Sequence, residues 1–150
     1  MYPLLLSMSI ALGPVTGPVS WSFLARPAAD GQVVVELTAQ VDDGWHIYAT
    51  QLENDLGPIP TSIRFDADPQ WTPVGGLAEP EPEEVFDPNF EMQVRYHSGS
   101  PVFVQHFKPS AVGVHPLRGE VEFMVCNDKT CLPPEVVRFN IDVPAVEVKP

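Results

Sequence analysis

Basic residues are scarce in this chain. Eight lysines and arginines stand against twenty aspartates and glutamates, a formal net charge of −12. That balance argues against nucleic-acid binding, which requires a basic face. It serves solubility, or steering toward a basic partner. Long apolar runs are missing as well. Residues 1–12, MYPLLLSMSIAL, form an apolar stretch too short to span a bilayer, and no later stretch is longer. Any membrane anchor is therefore expected outside this chain. Glycine is outnumbered, ten against eighteen prolines, which disfavours long helices and favours short strands with stiff connections. There is no internal repeat, no nucleophile elbow, and no His-x-His or closely spaced Cys/His ligand set. Cysteine occurs only twice.

What is present suits one folded domain. A length of 150 residues and an apolar content of 44% are ordinary for a single globular unit with a proper core. Residues 1–18 read as an apolar leader. They lack the positive start of an export signal, since the first basic residue is Arg26, so a displaced start stays open beside a signal. Residues 19–143 read as the globular domain and 144–150 as a tail or linker.

Inside the domain the periodicity is that of strands. Val33, Val35, Leu37, Ala39 and Val41 share one face of an alternating run, with Glu36, Thr38 and Gln40 on the other. Val19–Phe23 reads as an edge strand or lead-in, and Trp45–Ala49 as a strand after the Asp42-Asp43-Gly44 turn. Thr61–Phe65, Trp71–Val74, Met92–His97 and Val102–Phe107 add further short strands. The segment Glu79–Phe90, EPEPEEVFDPNF, combines prolines, acids and two phenylalanines, which keeps it out of a sheet interior. It is either a solvated acidic loop with an anchoring aromatic or a flap whose phenylalanine covers something. Gly119–Cys126 and Val136–Val143 alternate again and flank the cysteine loop. About seven to nine such strands indicate an all-β fold, an antiparallel β-sandwich.

The two cysteines sit in Cys126-Asn-Asp-Lys-Thr-Cys131, followed by Leu132-Pro133-Pro134. A disulfide needs Cα atoms within about 7 Å, while a strand advances about 3.3 Å per residue. The chain must therefore reverse between them. Asn127 and Asp128 are turn formers, so the expected picture is a hairpin tip with a sulfur on each side. Closing so short a loop contributes only about 2 kcal/mol in the chain-entropy model. A structural bond and a redox-active bond both remain open on that ground.

Four motifs together, GWHIYA, GPIPTSIRF, FDPNFEMQVRYHSG and VEFMVCNDKTCLPP, resemble the N-terminal periplasmic domain of the thiol:disulfide interchange protein DsbD family. The resemblance runs from about Val19 to Val143. It implies an immunoglobulin-like sandwich with a cap loop over the hairpin-tip disulfide. It also implies protein-disulfide reductase activity without a cofactor other than the disulfide, in the periplasm. The implied partners are thioredoxin-like donors and acceptors, including cytochrome c maturation thioredoxins, linked to a transmembrane electron carrier outside this chain.

By the same resemblance Cys126 and Cys131 are the redox pair, with Cys131 forming the mixed disulfide and Cys126 resolving it. Four residues separate them here, where the better-known members have five. Phe90 matches the shielding phenylalanine of the cap, with Phe86 as the alternative. His46 and Tyr48 fall where the family has two tyrosines near the sulfurs. The family's acidic residues before the cap phenylalanine are replaced by Pro88 and Asn89, with Asp87 as a substitute. An imidazole at His46 either lowers a neighbouring thiol pKa or simply packs as the tyrosine does. Lys129 favours a thiolate and Asp128 opposes it. The competing readings are a binding module with a structural disulfide, and a metal site drawn from His46, His97, His106, His115, methionines or the thiols. No metal site is expected.

Overall fold

The computed structural model describes residues 10–12, 17–110 and 115–144. Of the leader expected over 1–18 only residues 10–12, 17 and 18 are among these, and of the tail over 144–150 only residue 144. Twelve strands and one 3-10 turn, Ala29–Gly31, occur among them. In chain order the strands are β1 (Ala11–Leu12), β2 (Val19–Pro27), β3 (Val33–Val41), β4 (His46–Tyr48), β5 (Ser62–Phe65) and β6 (Trp71–Ala78). They continue with β7 (Glu83–Asp87), β8 (Met92–His97), β9 (Val102–Pro109), β10 (Leu117–Phe123), β11 (Val125–Cys126) and β12 (Glu135–Ile141). All described pairings are antiparallel.

A five-stranded sheet, ordered β1-β2-β3-β9-β6, faces a three-stranded sheet, β12-β10-β5. The alternation seen in the sequence explains the contact between them. Val33, Val35, Leu37 and Ala39 of β3 lie in the core with Trp21 and Phe23 of β2, and they meet Val121, Phe123, Phe139 and Ile141 from the opposite sheet. Aromatic rings tie the layers: Trp21 to Phe123 at 5.7 Å, Phe23 to Phe139 at 4.9 Å and Phe65 to Phe107 at 4.8 Å between centroids. Each fully buried side chain of this size contributes about 1.5–3 kcal/mol by leaving water. Gly119 is required where β10 meets β5, because a Cβ there would lie 2.1 Å from the Arg64 carbonyl oxygen and 2.6 Å from Phe139 Cζ. The fold is an immunoglobulin-like antiparallel β-sandwich, as the sequence implied.

Two strand expectations need correction. Val19–Phe23 is not an edge: β2 lies between β1 and β3, and Val19, Trp21, Phe23 and Ala25 are all buried. Its alternating Val, Trp and Phe already carried that inward face. The segment Glu79–Phe90 is not wholly loop. It contains β7, an edge strand that pairs with β8 from Glu83↔Tyr96 to Asp87↔Met92. Pro80, Pro82 and Pro88 flank the strand, and an edge strand needs partners on one side only.

The cysteine strand also departs from a simple hairpin. β10 and β12 pair as expected, but β10 ends at Phe123. After Met124 the chain re-enters a strand as β11, which pairs with β4 and belongs to a third sheet, β11-β4-β8-β7. Period-two alternation then gives this sheet two faces. Ile47 and Val125 point into the main core, while Tyr48 and Cys126 line a second, smaller cluster with Val94 and Met124.

Candidate redox site

The site is built on the outer face of the third sheet. Cys126 and Cys131 form a disulfide with Cα atoms 4.1 Å apart, and the two residues bridge as an antiparallel pair. Asn127 makes the reversal between them. Its backbone N–H donates to the Thr130 carbonyl at 2.9 Å, and its side-chain oxygen accepts from Lys129 N at 2.9 Å and Thr130 N at 2.8 Å. This is the self-bonded turn that an asparagine favours. The expected hairpin tip with a sulfur on each side is therefore present, grown from β11 rather than from the β10–β12 ribbon. Cys126 is fully buried, and Cys131 is partly exposed.

The hairpin of β7 and β8 forms the cap. Its turn is held by Glu91 N donating to the Asp87 carbonyl at 2.8 Å and by Asn89 N donating to Asp87 Oδ1 at 2.8 Å. Glu91 takes the left-handed backbone that closes the turn, with φ of 53°. Phe90, at the tip, packs in the cluster that contains Cys126 and Cys131, and its ring meets Tyr48 edge-on at 6.3 Å. Beside it, Asn89 Nδ2 donates to the Asn127 carbonyl at 2.8 Å, a direct clasp between cap and cysteine turn. Phe86, the alternative cap residue, is 58% exposed and is absent from the cluster. Strand alternation turns it away from the side that holds Val85 and the buried Asp87.

His46 and Tyr48 lie on β4, beside the cysteine strand β11. His46 stands directly opposite Cys126 in the β4–β11 register. Its Nε2 is 3.2 Å from the Tyr48 hydroxyl, which donates to Asp87 Oδ2 at 2.5 Å. The imidazole also meets the Tyr96 ring at a tilt of 41°, with centroids 4.4 Å apart. Burial lowers the His46 pKa, and the nearby Asp87 and Asp128 charges only partly oppose this. Burial and the Asp87 carboxylate push the Tyr48 phenol far up, so it stays protonated. Burial, with a hydrogen bond to Glu83, raises Tyr96 in the same direction. Asp128 and Lys129 are exposed on the cysteine turn, and Asp128 is close enough for its charge to act at His46.

A second polar knot anchors the start of the cap. Glu79 accepts from Thr50 Oγ1 at 2.7 Å and Thr50 N at 3.2 Å, and pairs with His97 Nε2 at 2.8 Å. Burial by itself would raise its pKa, but the hydrogen bonds from His97 and Thr50 outweigh that and lower it. Neither Glu79 nor Asn89 was expected to hold the cap, and Asn89 stood out only as a replacement for a family acid. Acid-rich, proline-flanked composition hid them, because their partners lie far along the chain.

The histidines do not converge. His97 is committed to Glu79, His106 is exposed on β9, and His115 is exposed before β10. No group of three or more His, Cys, Asp or Glu suited to a metal ion occurs among the described residues. No helix among them is long and apolar enough to cross a membrane.

The class that fold and site define is an immunoglobulin-like sandwich bearing a partly exposed disulfide beneath an aromatic ring. Residues 18–142 match the family described as thiol:disulfide interchange protein DsbD, N-terminal, and the chain belongs to that family. Among solved structures, it is similar to the N-terminal periplasmic domain of ScsB from Proteus mirabilis, with a TM-score of 0.67 and 18% identity. That match covers 93% of this chain but 54% of the other, so this chain spans about half the length of that relative. It is also similar to the DsbD N-terminal domain of Neisseria meningitidis in the reduced form, with a TM-score of 0.54, 20% identity, and 91% and 89% of the two chains covered. A third likeness is to the complex between the DsbD and PilB N-terminal domains of Neisseria meningitidis, with a TM-score of 0.52, 13% identity, and 93% and 87% covered. At these identities the likeness carries the fold. No curated protein matches the chain.

Proposed function

We propose that this chain is a periplasmic relay domain with protein-disulfide reductase activity. It passes reducing equivalents from a thioredoxin-like donor to oxidised partner proteins through Cys126 and Cys131, and needs no cofactor beyond that pair. A donor thiolate attacks Cys131 Sγ, and the internal bond breaks with Cys126 leaving as thiolate. The donor's second thiol then releases the donor in its oxidised form, and the pair becomes a dithiol. In the second half, the Cys131 thiolate attacks a partner's disulfide. Cys126 attacks Cys131 Sγ, re-forms the internal bond and releases the partner reduced. The electron supply is a transmembrane carrier outside this chain.

The observation that supports this reading best is the unequal exposure of the two sulfurs under one cap. Cys126 is fully buried while Cys131 is partly open. An incoming thiolate is thereby offered one sulfur and denied the other. Phe90 limits access by small thiols and yields to a matched protein surface. The complex of the Neisseria DsbD domain with the PilB N-terminal domain supports a protein as the partner.

The test is equilibration of the Cys126–Cys131 pair with glutathione buffers, followed by trapping with Cys126→Ser. The expected result is a potential within the range of thioredoxin-like proteins, and a Cys131-linked adduct with an oxidised thioredoxin-like protein. A bond that stays closed below about −300 mV behaves as a structural disulfide and overturns the proposal.

A further inference from the structure

The exchange reading leaves one chemical requirement open, and the inference that follows rests on that reading. Before Cys126 can attack Cys131 Sγ, it must lose a proton. Its side chain is fully buried, so water cannot take that proton directly, and burial in an apolar cluster raises a thiol's pKa. A proton acceptor has to be built into the wall. His46 occupies that place. Directly opposed residues on antiparallel strands project to the same face with Cβ atoms about 4.5–5.5 Å apart. Its side chain is 12% exposed, so a proton taken up there can pass on to solvent.

The hydrogen bonds around His46 settle which nitrogen is free. Tyr48 has one hydroxyl proton, and it goes to Asp87 Oδ2. Toward His46 the phenol oxygen is then an acceptor, and the 3.2 Å contact requires the proton on Nε2. Nδ1 is left with its lone pair. The groups around the ring are Tyr48 on its own strand, Asp87 from β7, Tyr96 from β8 with Glu83 behind it, and Asp128 from the cysteine turn, where Lys129 is also exposed. The two carboxylates favour the imidazolium once it forms, and Asp87 Oδ2 is already 3.8 Å from Nε2.

We propose that His46 is the general base for Cys126, and that Tyr48 and Asp87 are positioning residues that hold its tautomer. In the resolving step Nδ1 takes the Cys126 thiol proton. The thiolate attacks Cys131 Sγ, the mixed disulfide breaks, and the partner leaves as a thiolate. The Cys126–Cys131 bond is oxidised by two electrons, and the partner's former disulfide is reduced by the same two. The imidazolium returns its proton to the leaving sulfur or to water.

Fully reduced protein is mixed with oxidised glutathione at a series of pH values, quenched with acid, and the Cys131–glutathione adduct is followed by mass spectrometry. In the wild type, resolution is expected to level off once His46 is neutral. In His46→Gln the adduct accumulates, and resolution at pH 7 slows by at least about a hundredfold, the lower end of the usual range for a general base. Its rate then climbs with pH until the thiol itself ionises. Tyr48→Phe keeps the ring but removes the acceptor, and is expected to slow resolution less and shift the pH profile. Resolution in His46→Gln at the wild-type rate and profile overturns the inference and leaves the exchange reading intact. Failure of Cys126→Ser to form any adduct at Cys131 removes the exchange reading itself. Should His46→Gln fail to fold, the imidazole ¹⁵N shifts of the wild type decide: a proton on Nε2 agrees with the proposal, and a proton on Nδ1 overturns it.

Discussion

The two apolar clusters of this domain are built to opposite standards. The main core between the five- and three-stranded sheets is hydrocarbon and aromatic ring throughout, with Trp21, Phe23, Phe103 and Phe123 sealed from solvent. The second cluster holds a phenol, a thioether and a disulfide, is rimmed by His46 and Asp87, and is closed on one side only by the Phe90 cap. The first is suited to keeping shape. The second is separate from the first, because the two share a sheet whose alternate side chains point opposite ways. A domain that opens and closes a disulfide needs that separation. It also explains why a bond contributing little to stability can be placed there.

The largest expected effect tests the first half of this contrast. Trp21→Ala removes a ring that contacts Phe23, Phe103 and Phe123, and should cost about 3–5 kcal/mol in urea denaturation. A cost below about 1 kcal/mol would mean that the core is not the rigid member of the pair.

A smaller effect is expected at the anchor of the cap. The folded-state pKa of Glu79 lies below its ordinary value, so its contribution is complete above pH 4.5 and fades as pH falls through the lowered folded-state value. Apart from that titration, hydrogen bonds to a charged group are in general worth about 1.5 kcal/mol. Glu79→Gln should remove that much stability at pH 6 and flatten the acid limb. Urea melts between pH 3 and pH 6 that superimpose in their pH dependence for both proteins would show that the knot does not hold the cap. The His46 linkage has the same sign at higher pH. Its folded pKa is lowered, so the unfolded chain takes the proton first and stability drops as pH falls below about 6.5.

The smallest expected effect on stability is at the cap tip. Phe90→Ala loses an edge-on ring contact worth about 1 kcal/mol and leaves the sandwich intact. The same loss should raise the open fraction, and the rate of reduction by dithiothreitol, about fivefold. Phe86→Ala should leave that rate unchanged, since its ring is outside the cluster. Equal rates in the wild type and Phe90→Ala would sink the shielding role.

Much of this was legible in the chain. The β3 alternation, the aromatic inward faces of β10 and β12, and the turn at Asn127 follow from local rules, and the four motifs were enough to suggest the family. The place of β2 was misread because an edge and an interior strand share one local pattern, and only the neighbours differ. The segment around β7 was obscured by its prolines, which mark the ends of the strand rather than its absence.

The order of apolar and polar side chains, by itself, determined that this protein would be a β-sandwich with two sulfurs at a tight reversal, because strand period and turn chemistry act over a few residues. Only tertiary structure decided that Met124 passes the chain from one sheet to another, that Asp87 accepts the Tyr48 hydrogen bond from 39 residues away, and that Asn89 clasps Asn127 across 38. Those partnerships depend on which strands lie side by side, and no local periodicity encodes that.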